Sequence, residues 1–108
     1  MRKVELAMVM AINSKKSATS GNTTVTFNES TQTATVSLFG NKIAEWSPEF
    51  LRVTWAGYAT PTTTSRINAL LFERFGGRVK GGVKAGKIIL TENGEKTEYG
   101  TDDWITLS

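Results

Sequence analysis

The strongest chemical signal lies at Gly81-Gly82-Val83-Lys84-Ala85-Gly86-Lys87, which spells G-x-x-x-x-G-K, the opening of a phosphate-binding loop. Ile88 stands where that loop needs a Ser or Thr to hold magnesium. The context also differs. A nucleotide loop follows a strand and opens a helix whose first amides hold phosphate, whereas Ile88, Ile89 and Leu90 lead into a hairpin pattern. The segment therefore reads as a flexible basic loop, with glycines that let the backbone come close to a phosphodiester chain and Arg78, Lys80, Lys84 and Lys87 as its cations.

Acid/base chemistry has two candidate carboxylate pairs, Asp102 with Asp103 and Glu92 with Glu95. Adjacent residues point to opposite faces of an extended strand, so Asp102 and Asp103 cannot flank one bond. Glu92 and Glu95 bracket a turn, where carboxylates are ordinarily solvated. The chain has no histidine and no cysteine. That removes thiol nucleophiles, disulfides, the usual zinc sites and histidine catalysis. No catalytic residue, metal ligand or cofactor is expected, and the chain reads as a non-enzyme.

Charge is unevenly distributed. Residues 66–87 hold Arg66, Arg74, Arg78, Lys80, Lys84 and Lys87 against Glu73 alone, a local +5 within a net +3. Residues 88–108 hold five acids against Lys96, a local −4. A basic block of this kind concentrates polyanions through counterion release.

These side chains must be positioned by one domain, since 108 residues leave no room for two independent cores. With 39% apolar and 21% charged residues the composition is that of a folded chain rather than a disordered one. There is no run of 18 apolar residues and no signal-peptide pattern, so the expectation is a cytoplasmic protein without membrane association.

Val4, Met8, Ala11 and Ile12 recur at helical spacing and predict an amphipathic helix over Lys3 to Asn13, followed by a Ser/Lys/Gly/Asn loop from Ser14 to Asn22. Thr23 to Asn28 and Thr33 to Phe39 alternate apolar and polar residues and read as paired strands. Two further strands are expected over Lys42 to Trp46 and Leu51 to Trp55, separated by Ser47-Pro48-Glu49. Pro61 and Thr62 to Thr64 start a second helix, Ile67, Leu70, Leu71 and Phe75 give its buried stripe, and Gly76-Gly77 stops it. Asn93-Gly94 marks a tight turn between Lys87 to Thr91 and Lys96 to Tyr99. The class is α+β: an antiparallel sheet of five to six strands carrying two amphipathic helices, in the order α-β-β-β-β-α-β-β. Sixteen threonines and eight serines suit exposed strand faces better than any catalytic theme.

The aromatic residues invite a base-stacking role. Strand parity places Trp55 with Leu51 and Val53 in the core, whereas Phe39 and Phe72 lie off the apolar stripes and are candidates for an exposed contact surface.

The run Leu38-Phe39-Gly40-Asn41-Lys42-Ile43-Ala44, then Gly57-Tyr58 and Thr60-Pro61-Thr62-Thr63-Thr64-Ser65-Arg66-Ile67-Asn68, and the tail Gly76-Gly77-Arg78-Val79 resemble a pattern of small uncharacterised bacteriophage proteins. The resemblance covers roughly Thr23 to Val79 and implies a viral origin without an assigned chemistry. Within the pattern, Arg66 and Asn68 sit in the first turns of the second helix, available either to a phosphate or partner carboxylate or to the adjoining loop. The leading expectation is a phage accessory protein binding nucleic acid, or a host protein that handles nucleic acid, through Arg66, Asn68, Arg74, Arg78, Lys80, Lys84 and Lys87. The alternatives are a protein inhibitor using the acidic hairpin Glu92 to Glu98 with Asp102 and Asp103, and a homo-oligomer paired through an exposed sheet edge.

Overall fold

A computed structural model describes all 108 residues. Helix α1 spans Lys3–Asn13, followed by strands β1 (Ala18–Ser20), β2 (Thr23–Asn28), β3 (Thr33–Leu38), β4 (Asn41–Trp46) and β5 (Leu51–Val53). Helix α2 spans Pro61–Phe75 and runs through a short 3-10 turn at Gly76–Arg78 into β6 (Val79–Lys84), β7 (Lys87–Glu92), β8 (Glu95–Tyr99) and β9 (Ile105–Leu107). The α+β class and the expected order of helices and strands hold. Three strands are additional: β1 lies inside the expected Ser14–Asn22 loop, β6 inside the expected basic loop, and β9 follows the last hairpin.

The strands form two antiparallel sheets in place of one. The larger has the order β1-β2-β3-β4-β5-β9 and the smaller β6-β7-β8. The chain closes the large sheet by returning at its end: Leu51 faces Leu107 and Val53 faces Ile105 across the β5–β9 pair. Alternation does the rest. Val25, Ala34, Val36, Leu51 and Val53 point to the covered side, and the intervening Thr24, Thr26, Thr35, Glu45 and Arg52 to the other. Helix α1 lies over β1 and β2, and α2 packs on α1, β4 and β6. One cluster of 22 buried apolar residues runs through both helices and both sheets.

Between Val36 and Ser37 the β3–β4 register shifts by one residue on β4. This bulge turns two consecutive residues, Ile43 and Ala44, into the core.

Helix α2 starts as its sequence dictates. The Thr60 side chain accepts from the Thr63 amide at 3.2 Å, and Pro61 takes the first helical position, where no amide partner is lost. Trp55 donates from Nε1 to Thr64 Oγ1 at 2.9 Å and is otherwise fully buried.

The small sheet docks on α2 through a side chain acting as a strand. Asn68 accepts from the Gly81 amide at 2.8 Å and donates to the Gly81 carbonyl at 2.9 Å, so both backbone groups on the free edge of β6 are satisfied. Gly81 also lies under the Trp55 ring, where a Cβ would meet Cη2 at 2.7 Å. Gly81→Ala must push the indole or the strand aside, and an overpacked core loses about 1–3 kcal/mol. Urea denaturation checks this, and a loss below about 0.5 kcal/mol would mean the contact is soft.

Candidate nucleic-acid interface

The segment expected as a flexible basic loop is a six-residue strand, fully laddered to β7 from Val79↔Glu92 to Lys84↔Lys87. Its glycines serve the hairpin: Gly81 admits Trp55, and Gly86 sits in the tight turn at φ 75°. The resemblance to a phosphate loop is thus the spacing between a close-packing glycine and a turn glycine. Period-2 patterning was present in Val79, Gly81 and Val83 against Lys80 and Lys84, but glycine at the centre hid it.

The ladder sorts the cations by face. Val79, Gly81, Ile88 and Leu90 point inward and are buried. Lys80, Gly82 and Lys84 of β6 point outward beside Thr91, Ile89 and Lys87 of β7, and β8 extends the same face with Lys96 opposite Thr91 and Glu98 opposite Ile89. Four exposed lysines therefore share one face of a three-stranded sheet with a single acid. None of the four makes an ion pair, since the salt bridges involve Lys42, Arg52, Arg66 and Arg78.

The three arginines of the expected site and Asn68 lie elsewhere. Arg66 is 4% exposed and belongs to the interior. It donates from Nη1 to Glu5 Oε2 at 2.7 Å, from Nε to Thr23 Oγ1 at 3.0 Å and from Nη2 to Asn22 Oδ1 at 3.3 Å, while Ser65 also donates to Glu5. Buried and paired in this way, the guanidinium cannot turn toward a phosphate without leaving the Glu5 carboxylate buried and unpaired. Asn68 is committed to Gly81. Arg74 donates to the carbonyls of Ser47 and Pro48 at 2.8 and 3.3 Å and lies 4.9 Å from the Trp46 ring centre, which ties the end of α2 to the β4–β5 connection. Burial lowers the pKa of Arg74 from the usual guanidinium value, and the nearby Glu49 carboxylate opposes that shift. Arg78 is half exposed, stacks on Phe75 at 4.9 Å and pairs at 3.8 Å with Glu92, which lies on the other side of the small sheet from the lysines.

The missed members of the face and of the interior had signals. Lys96 follows from extending the expected hairpin by register. The buried pair was visible as one charge on each apolar stripe: Glu5 shares a helical face with Met8, Val9 and Ile12, and Arg66 with Thr63, Ala69 and Leu70.

The acidic hairpin forms no comparable surface. Glu92 and Glu95 lie on the side opposite the lysines, Glu98 stands among them, Glu92 is paired with Arg78, and Asp103 accepts from the Gly100 amide at 2.7 Å.

Fold and face together define a small α+β domain with a cationic sheet surface. The chain belongs to a bacteriophage protein family, described as Kyanoviridae Gp96 protein, whose model matches residues 1–106. No curated protein and no solved structure matches it. No helix is long and apolar enough to cross a membrane.

Proposed function

We propose that the protein is a non-catalytic phage accessory protein that binds nucleic acid through the outward face of β6, β7 and β8, with Lys80, Lys84, Lys87 and Lys96 contacting phosphates. The observation that carries this reading is the register that gathers four unpaired lysines on one face. Side chains on alternate residues of paired strands form a grid that matches no single carboxylate but suits a chain of repeating charges. Self-association through the β8 edge is disfavoured by Glu95, Lys96 and Glu98, since charge on an edge strand discourages pairing with a second copy.

The test is fluorescence anisotropy with short single- and double-stranded DNA and RNA over a salt series. Four phosphate contacts give a slope of about −3 in log affinity against log salt on single strands, or about a fiftyfold loss between 50 and 200 mM. Absence of binding at low salt would refute the reading and direct the search to a host protein that handles nucleic acid.

A further inference from the structure

Away from the lysine face, a cavity of about 500 Å³ opens between the β3–β4 turn and the start of α2, lined by Leu38, Phe39, Asn41, Ile43, Tyr58 and the threonines of the helix start. Its size is that of a small-ligand pocket. We propose that it is a base-binding subsite that takes one unpaired nucleobase of a single-stranded nucleic acid; this rests on the reading above and deepens it.

Four observations support the assignment. Phe39 is 73% exposed and Tyr58 54% exposed, so two aromatic rings stand at the cavity without serving the core. Phe39 also occupies an unfavourable backbone position. It and Gly40 are the two central residues of the β3–β4 turn, with φ of 50° and 81°, the type I′ pattern in which Asn is preferred at the first position. The same chain uses Asn93-Gly94 for the equivalent β7–β8 turn, with φ of 51° and 84°. A bulky aromatic held at positive φ and turned to solvent gains nothing for the fold.

The β4 bulge contributes next, since the extra residue it inserts is Ile43, which lines the cavity beside Leu38. Finally, no charged residue is among the lining residues. Thr60 and Thr63 satisfy one another at 3.0 Å, leaving Asn41 and Thr62 to present amide and hydroxyl groups. A neutral planar ring with a hydrogen-bonding edge matches that lining: stacking faces meet the aromatics, and the edge meets Asn41 and Thr62. Thr60 also lines a second concavity that reaches Val83 at the end of β6, on the side of the strand opposite its lysines.

The experiment uses two probes on the full chain. Adenosine, which has no phosphate, is titrated while the ring signals of Phe39 and Tyr58 are followed by NMR; a single-stranded oligonucleotide is titrated by anisotropy. Phe39→Asn restores the preferred turn residue, so its melting temperature is expected to equal or exceed that of the parent. Its oligonucleotide affinity is expected to fall about tenfold or more with the salt slope unchanged, and Tyr58→Ala is expected to behave alike. Saturable adenosine shifts in the parent, lost in Phe39→Asn, support the subsite even where the oligonucleotide shows no salt-dependent binding, which would refute the lysine reading alone. Unchanged oligonucleotide affinity in folded Phe39→Asn overturns the proposal. Ring shifts with N-acetyl-tryptophanamide and none with adenosine also overturn it, in favour of a protein side chain as occupant.

Discussion

Arg66→Ala is expected to lower the unfolding free energy by about 3–5 kcal/mol, because it leaves the Glu5 carboxylate buried without its counter-charge. For a domain of this size, with total stability of order 5–15 kcal/mol, that is enough to populate unfolded chains at moderate temperature. Glu5 is as deeply buried as Arg66, and the pair joins α1 to α2 while Thr23 ties both to β2. Arg66→Lys keeps the charge but loses the fork that reaches Glu5, Thr23 and Asn22 together, so it is expected to fall between parent and Ala. In the double variant Glu5→Met with Arg66→Met no charge is left unpaired, and the loss should be well below the sum of the single ones. Urea melts of these three variants and of the single Glu5→Met and Arg66→Met changes measure this directly. If Arg66→Ala were as stable as the parent, the guanidinium would be a surface group after all and would return to the candidate interface.

The fate of Arg66 shows what the sequence could and could not convey. Elements with strong local signals were legible: α1 has the expected bounds Lys3–Asn13, β2 the expected Thr23–Asn28, and the Asn93-Gly94 turn lies where its φ preference requires. Burial of Trp55 was readable from strand parity, and exposure of Phe39 and Phe72 from their place off the apolar stripes. What local pattern could not give was pairing over distance. Glu5 and Arg66 are 61 residues apart, and Asn68 satisfies a strand edge 13 residues on. The Arg66-Ile67-Asn68 triplet of the phage-like pattern is therefore architectural along its whole length: an ion pair, a core residue and an edge cap. The division into two sheets was hidden for the same reason. Glycines at 81 and 82 removed the apolar marks of β6, and three-residue strands such as β1 carry too little alternation to stand out from a loop.

Lys80, Lys84 and Lys87 changed together to Glu should abolish nucleic-acid binding while leaving unfolding nearly unaffected. Each of these side chains is exposed and on the outward face, and none is paired, so no buried partner is orphaned by the change. Surface substitutions of this type move stability by about 0.5 kcal/mol or less each. The effect on binding is far larger. Replacing three cations removes about two from the salt slope on single strands, and the three new carboxylates repel the phosphates they replace, so a loss of at least about a hundredfold at low salt is expected. Reversal of two cations on the outer face of the large sheet, Lys42→Glu with Arg52→Glu, which shifts net charge by two-thirds as much, supplies the control for net charge. If binding is a property of overall basicity, both sets weaken it in proportion to charge; if the register of the small sheet makes the site, only the first does. Retention of affinity in the folded triple variant would leave the gathering of lysines as a solvated face, with the aromatic cavity as the remaining surface to which a partner can be assigned.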